Sequence, residues 1–250
     1  MRALCCLAAL TTFATAAQAE ATKYPLTLDN CGVEVTFDKA PATTVSLGQT
    51  ATEILYSLDL ADKVAGTGVW FSDVLPEFAE VNAKVERLAD NDPSFESIVA
   101  KRPDVVIAQY EWHVGPQGIV ATREQFGDLG IATYILPTDC VGKDNTVGSD
   151  GTRLEPFTTE VLYDTITELG WIFDVQDKAG GLVADLRARE ASAREKVAAM
   201  KIDDISAAFW FSSPELDLDP YVAGRKGAPG YILSVLGVEN VVQSDEEWPT

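Results

Sequence analysis

Apolar residues recur at helical spacing between Asp177 and Met200, and charged residues fill the positions between them. Glu190 and Arg194 are opposite charges four residues apart, a spacing that supports the exposed face of a helix. The pattern predicts one helix of about 36 Å at 1.5 Å per residue, with Asp174 as its N-cap. Such a helix is long enough to carry a lobe on each side. An ordinary surface helix of a single domain is the alternative.

Before this helix, short β-rich runs alternate with helical segments. This alternation predicts an α/β fold with right-handed crossovers and a parallel sheet covered on both faces. A hairpin turning at Asn30-Cys31-Gly32 precedes it, and a capping box from Thr50 to Glu53 is predicted to open the first helix. The predicted strands are Thr44–Leu47, Val64–Thr67, Asp104–Ala108 and Thr133–Leu136, and the predicted helices are Ala51–Leu58, Phe78–Val85, Pro93–Ala100, Arg123–Leu129 and Thr158–Leu169.

Two segments depart from this alternation. Residues Cys140 to Pro156 are rich in Gly, Asp, Asn and Thr, which predicts a loop. After the long helix, a buried strand at Ser206–Phe211, a helix at Tyr231–Leu236 and a strand at Asn240–Val242 are predicted. The chain thus divides into an N-terminal lobe (20–173), a connecting helix (174–201) and a second lobe (202–250). Because a unit of about 50 residues is marginal by itself, we expect the second lobe to continue beyond residue 250.

The first 19 residues have the pattern of an export signal. Arg2 precedes an apolar run from Ala3 to Leu10, and Ala17-Gln18-Ala19 fits a cleavage site. The apolar run is too short to span a membrane as a permanent helix. We therefore expect a soluble mature protein outside the cytoplasm, in the periplasm.

Charge and cysteine content narrow the function classes. The formal net charge is -20, so the surface repels a phosphate backbone and nucleic acid is not an expected partner. Removal of the export signal leaves two cysteines, Cys31 and Cys140. In an oxidising compartment they are predicted to form one disulfide, and two buried thiols are the alternative.

Aromatic and polar residues follow the predicted strands. In open α/β sheets, ligands bind at the carboxyl ends of the strands, so these residues are the candidate ligand-binding set. Their aromatic character fits a pocket for a bulky organic ligand. For Trp210, at the end of a predicted buried strand, a place in the core is the alternative. The set comprises Gln49, Thr50, Trp70, Phe71, Tyr110, Trp112, His113, Trp210, Tyr221 and Arg225.

The sequence favours a binding protein over an enzyme. His113 is the only histidine, whereas zinc sites and hydrolytic triads need more ligands or a nucleophile beside the imidazole. No G-x-S-x-G elbow, phosphate loop or complete dinucleotide fingerprint is present. We therefore expect no catalytic residue, metal ligand or resident cofactor, and His113 is predicted to line the cleft.

Three stretches together carry a family resemblance. The runs VSLGQTATEILYSL (45–58), SFESI (94–98) and KRPDVVI (101–107) resemble the iron-siderophore and cobalamin class of periplasmic substrate-binding proteins of ABC importers. The resemblance implies two Rossmann-like lobes with parallel sheets, joined by a single long rigid helix. It also implies a ligand held between the lobes with little hinge closure.

The resemblance further implies that one surface carboxylate on each lobe docks on the membrane permease. The first-lobe carboxylate corresponds to Glu96, whose alternative role is to favour the helix dipole from the first turn. The second follows a W-P-x-V-S-like segment in this family, and the sequence stops at Trp248-Pro249-Thr250. That stop supports the expectation that the chain continues.

The leading hypothesis is capture of a ferric siderophore by a monomer that delivers it to an ABC permease. Arg225 is the candidate to meet an anionic chelate, or else is a solvated loop charge beside Lys226. A second hypothesis places cobalamin or haem in the same cleft. A third is an extracytoplasmic enzyme that uses Glu111 and His113 as acid and base.

Overall fold

The computed structural model describes residues 19–147, 151–200, 204–213 and 220–249, which form two α/β lobes flanking one long helix. Residues 1–18 of the predicted export signal and residue 201 of the predicted connecting helix lie outside this range. The strands are β1 Leu26–Asn30, β2 Val33–Phe37, β3 Thr44–Leu47, β4 Val64–Gly68, β5 Val105–Ala108, β6 Ala132–Ile135, β7 Lys143–Asp144, β8 Thr152–Arg153, β9 Ser206–Ala207, β10 Trp210–Ser212, β11 Tyr221–Val222 and β12 Glu239–Asn240. The α-helices are α1 Gln49–Ser57, α2 Ala79–Asn82, α3 Phe95–Val99, α4 Glu111–Val114, α5 Arg123–Gly127, α6 Thr159–Phe173, α7 Gln176–Met200 and α8 Ala228–Val235.

A four-stranded parallel sheet forms the centre of the first lobe. Its strand order is β4-β3-β5-β6, and Leu47 at the end of β3 lies beside Gly68 of β4 and Ala108 of β5. Every residue of β3 and β5 is buried, and separate apolar clusters cover the two faces. The continuous apolar runs therefore became central strands, as is typical of a parallel sheet, and the predicted α/β fold is confirmed.

The β1–β2 hairpin is attached to the β6 side of this sheet. Cys31 and Gly32 form its turn with φ of 58° and 77°. The Asn30 side chain is buried: its Nδ2 donates to the Ile135 carbonyl (2.7 Å), and its Oδ1 accepts from the Ile135 amide (2.8 Å). A disulfide of 2.04 Å joins Cys31 to Cys140. The hairpin is thus fixed to β6 through the Asn30 side chain and to the loop after β6 through the disulfide at its turn.

The long helix α7 packs along α6 through one apolar edge. Ala179 is buried, and Leu182, Val183 and Leu186 pack against the first-lobe core. Asp174 is not the N-cap of α7; it is the left-handed C-cap of α6, with φ of 58°. Only two residues separate α6 from α7, so Asp174 takes part in the turn between the two helices. Over the described residues, no helix is both long and apolar enough to cross a membrane.

The second lobe departs from the predicted buried strand at Ser206–Phe211. Two short strands replace it: β9 pairs in parallel with β12, and β10 pairs antiparallel with β11. Trp210 is 66% exposed and Phe211 46% exposed. The apolar run is not buried because a two-stranded ribbon has no sheet neighbours to cover it.

Two helix predictions and one loop prediction in the first lobe also need correction. The helix predicted from Pro93 begins at Phe95, because Ser94 is the N-cap and its Oγ accepts from the Ser97 amide at 3.2 Å. The helix predicted at Phe78–Val85 is limited to the four residues of α2. The predicted loop after Cys140 contains the short β7–β8 hairpin.

Candidate ligand-binding cleft

A cleft of about 830 Å³ lies where the carboxyl ends of β3, β4, β5 and β6 face the second lobe. The first lobe contributes most of the lining, and Ala228, Glu247 and Trp248 close the opposite side. The first-lobe lining comprises Thr50, Val69, Phe71, Asn91, Asp92, Gln109, Tyr110, Trp112, His113, Gln117, Thr138, Asp139, Lys143, Asn145, Gly151, Arg153, Phe157 and Leu162. Five of the residues predicted from sequence are therefore together here: Thr50, Phe71, Tyr110, Trp112 and His113.

Gly48 sets the shape of the cleft floor. Its φ is 123°, and a Cβ at this position would lie 2.2 Å from Cβ of Gln109. The close approach lets Oε1 of Gln109 accept from the Thr50 amide at 2.9 Å. The predicted capping box does not form, because Gln109 satisfies this amide and Glu53 instead accepts from the Leu75 amide (2.9 Å).

Aromatic rings line the cleft from both lobes. Phe71 is 70% exposed, and its ring centroid lies 6.4 Å from that of Tyr110. Trp112 is 43% exposed on the same side. Phe157 and Trp248 also contribute to the lining. Large apolar rings left accessible in a concave site are typical of a surface that covers an organic ligand.

His113 is held inside the wall of the cleft. It is 4% exposed, and its Nε2 lies 3.0 Å from Oδ1 of Asp92. Burial lowers the pKa of His113, although the Asp92 carboxylate opposes this effect. Glu111 does not pair with it: Oε2 of Glu111 accepts from Nδ2 of Asn145 at 2.6 Å. The acid and base of the enzyme hypothesis therefore each have a different partner.

The cleft contains two ion pairs that no sequence pattern indicated. Nζ of Lys143 donates to Oδ1 of Asp139 at 2.7 Å, and Nε of Arg153 donates to Oε1 of Glu247 at 3.2 Å. Arg153 also donates to the Thr138 carbonyl at 3.0 Å. The second pair joins the two lobes. Lys143 and Arg153 lie in the segment predicted as a loop, where no periodicity indicates which side chains point inward.

Two predicted residues from the first lobe do not line the cleft. Trp70 is 6% exposed; its Nε1 donates to Oγ1 of Thr67 (3.0 Å), and the Arg87 guanidinium lies 4.9 Å from its ring centroid. Gln49 instead holds the loop after β4, because its Oε1 accepts from Ser72 Oγ at 2.9 Å. The sequence located the strand ends correctly but not the direction of these side chains.

Three predicted residues from the second lobe also lie outside the cleft lining. Trp210 is exposed, and Tyr221 stacks on Trp248 with centroids 5.2 Å apart. Arg225 pairs with Asp245, its Nη2 lying 2.6 Å from Oδ1. Arg225 therefore lies in the structure as an exposed, paired loop charge, and its role towards a ligand stays a prediction.

Glu96 lies in the first turn of α3, with an exposed side chain. Its docking role stays a prediction.

In the described ranges, no group of three or more His, Cys, Asp and Glu side chains is placed to hold a metal ion. The cleft is thus a mixed aromatic and polar surface.

Residues 44–249 match the family model described as periplasmic binding protein. The chain belongs to this family. The match covers most of the sequence and includes the sheet, the long helix and the described second lobe. The resemblance inferred from the sequence motifs is therefore confirmed at the level of the family.

One curated relative aligns with most of this periplasmic binding protein, but the alignment spans only part of that relative. This chain is 28% identical over 227 residues to the uncharacterized ABC transporter substrate-binding lipoprotein YvrC of Bacillus subtilis (strain 168). The alignment covers 90% of this chain and 63% of that relative, so the chain spans less than two thirds of the relative's length.

Solved structures share the fold. An ABC-type Fe3+-hydroxamate transport system from Saccharomonospora viridis DSM 43017 superposes with a TM-score of 0.68 at 29% identity, covering 91% of this chain and 75% of that chain. A periplasmic binding protein from Veillonella parvula dsm 2008 superposes with a TM-score of 0.69 at 24% identity, covering 90% and 70%. The two-lobed architecture joined by a long helix is therefore that of periplasmic binding proteins.

Proposed function

We propose that this periplasmic binding protein captures a ferric siderophore in its interlobe cleft outside the cytoplasm and delivers it to an ABC permease. The observation that carries the proposal is the aromatic cleft of about 830 Å³ between the lobes. Its volume lies in the range of about 300–1,000 Å³ that suits organic ligands. The protein acts by binding and release, with no chemical step.

The arrangement of the rings suits a compact chelate. Phe71, Tyr110 and Trp112 cover one side, while Phe157 and Trp248 cover another. The organic exterior of an iron chelate offers apolar surface to such rings, and the metal stays enclosed by the chelator. Binding therefore needs no protein ligand to iron, and His113 can remain paired with Asp92.

The relatives support the same class of function. One is described as an ABC transporter substrate-binding lipoprotein, and another as part of an Fe3+-hydroxamate transport system. Because the chain spans 63% of the first relative, transport by the whole protein is part of the proposal. The hydroxamate relative favours an iron chelate over a free metal ion.

Tryptophan fluorescence tests the capture step directly. The full chain is titrated with ferric hydroxamates, ferric catecholates, haem and cobalamin. Trp112 lines the cleft, so saturable quenching is expected with at least one iron chelate, and Trp112→Ala should weaken its Kd by about tenfold. Trp171→Ala is the matched control, because Trp171 lies away from the cleft and should leave the Kd unchanged.

The possible outcomes of the titration distinguish between the ligand classes. Quenching by haem or cobalamin alone would retain the cleft and replace the siderophore as its ligand. Absence of binding by every compound would contradict the cleft assignment itself. An equal effect of the two tryptophan substitutions would place the ligand elsewhere.

Delivery to the permease is tested at Glu96. The exposed carboxylate should pair with a basic residue of the permease, so Glu96→Gln should reduce uptake of the radiolabelled iron chelate in cells that contain both proteins. The Kd for the chelate should not change. Glu195→Gln is the control, because Glu195 is an exposed carboxylate on α7. Equal uptake by wild type and Glu96→Gln would exclude this docking role.

A further inference from the structure

Both positive charges that line the described part of the cleft are already neutralised. Lys143 and Asp139 form a pair of 2.7 Å, with side chains only 11% and 9% exposed. Arg153 and Glu247 form a pair of 3.2 Å, with side chains 12% and 9% exposed. Within these lining residues, no cation is left to meet a negatively charged ligand.

The remaining charge of the lining is negative. Asp92 is a third carboxylate, and its neighbour His113 has a pKa lowered by burial and adds no positive charge at neutral pH. Oε2 of Glu247 is buried and has no hydrogen-bond partner among the described residues. The described lining thus contains three carboxylates against two ammonium or guanidinium groups.

We propose that the cleft selects neutral or positively charged iron chelates and rejects polyanionic ones, with Glu247 as the specificity-determining residue. Glu247 acts by neutralising Arg153, so that the described lining keeps a net negative charge that favours a cationic group. This inference rests on the proposed function and names the chelate class. Trihydroxamates that carry an ammonium group fit it, and tris-catecholates do not.

The preference for neutral or cationic chelates follows from the burial of the two ion pairs. A polyanionic chelate can reach Arg153 only by displacing Glu247, which would leave a largely buried carboxylate unpaired. Like charges placed across a binding surface oppose association. A neutral chelate meets no such repulsion, and an ammonium group adds three N–H donors in a negative environment.

The second lobe offers a matched pair outside the cleft. Arg225 and Asp245 form an ion pair of 2.6 Å, with side chains 47% and 79% exposed. Asp245→Asn therefore makes the same change of net charge as Glu247→Gln without exposing a cation to the ligand. A comparison of the two variants distinguishes the effect of a charge inside the cleft on chelate affinity from the effect of the net charge of the protein.

The test uses three ferric chelates of different charge: ferrioxamine B with its free ammonium, its N-acetylated neutral form, and the trianionic complex of enterobactin. Wild type should bind ferrioxamine B and the neutral form. It should bind the trianion at least about tenfold more weakly, because like unit charges about 12 Å apart at an effective dielectric constant of about 20 already oppose binding by a factor of about ten. Glu247→Gln should strengthen binding of the trianion and weaken that of ferrioxamine B. Asp245→Asn should change neither.

The outcomes distinguish this inference from the function on which it rests. If wild type binds the trianion as tightly as ferrioxamine B, charge selection is overturned and iron-chelate capture stands. If both variants shift selectivity equally, the role of Glu247 is overturned. If none of the chelates binds, the proposed function fails as well. The wild-type panel tests the charge rule even if Glu247→Gln does not fold.

Discussion

Nε2 of His113 lies 3.0 Å from Oδ1 of Asp92, and this contact connects the only histidine of the sequence to the wall of the cleft. The imidazole is 5% exposed, whereas the carboxylate is 46% exposed. Burial disfavours the charged imidazolium more than Asp92 favours it, so the pKa of His113 is lowered. The pair therefore remains a neutral imidazole beside a carboxylate at pH 7.

The single histidine makes the pKa shift directly measurable. One imidazole titration curve is expected by NMR, with a pKa below the ordinary value of about 6.5. Because the folded pKa is depressed, the contribution of His113 to the free energy of unfolding is present above about pH 6.5. It is lost as the pH falls through the folded pKa. His113→Gln should remove this part of the pH dependence, and a measured pKa at or above 6.5 would contradict the burial argument.

Gly48 is expected to tolerate no side chain. Gly48→Ala places a Cβ at φ of 123° and 2.2 Å from Cβ of Gln109, so it should lower the free energy of unfolding by about 2 kcal/mol or more. Gly181→Ala is the contrasting variant, since nothing lies within 4 Å of its Cβ in α7. It should raise stability by up to about 1 kcal/mol. Urea unfolding measures both, and equal effects would exclude the steric explanation.

Glu190 joins α7 to the helices on either side. Its Oε1 accepts from the Tyr231 hydroxyl at 2.6 Å, and its Oε2 accepts from Thr159 Oγ1 at 2.7 Å. Arg194 also donates to Oε1 at 2.9 Å. The hydrogen bond from Tyr231 is the main reason that the pKa of Glu190 is lowered to about 2. One carboxylate thus connects α6, α7 and α8.

This geometry predicts an acid-dependent contribution to stability. Since the folded pKa is depressed, the stabilisation is present above the unfolded pKa of about 4.5 and is lost as the pH falls towards about 2. Glu190→Gln should lower Tm at pH 7, with a difference that shrinks between about pH 4 and pH 2. Glu195→Gln, on the exposed face of the same helix, should show no such convergence. A pH-independent difference would assign the effect to packing instead.

The disulfide between Cys31 and Cys140 should contribute strongly to stability. It closes a chain segment with a sequence separation of 109, which corresponds to roughly 4–5 kcal/mol in the chain-entropy model. Replacing both cysteines by serine should lower the free energy of unfolding by several kcal/mol. Thermal unfolding of the double variant, compared with reduced wild type, measures this effect. Unchanged Tm in both would show that noncovalent contacts, including those of Asn30, hold the hairpin to β6 without the disulfide.

Local patterns in the sequence predicted most of the first lobe. The apolar runs at Thr44–Leu47 and Val105–Ala108 are central strands, because continuous burial on both faces needs continuous hydrophobicity. The long helix was predicted from its spacing and is observed at Gln176–Met200. Helix starts were less predictable. Gly48 is the N-cap of α1 and Ser94 is the N-cap of α3. These two helices therefore do not begin at the residues that the capping motifs predicted.

The sequence by itself determined the strand ends at which the cleft forms, because the carboxyl ends of parallel strands meet at one edge of the sheet. Tertiary structure alone decided which side chains face it. Trp70 turned inward to Thr67, whereas Arg153 reached from a segment without periodicity to Glu247 in the other lobe. The physical reason is that Arg153 and Glu247 are 94 positions apart in the sequence, so their contact depends on how the two lobes pack. The spacing of hydrophobic residues within one segment does not predict that packing.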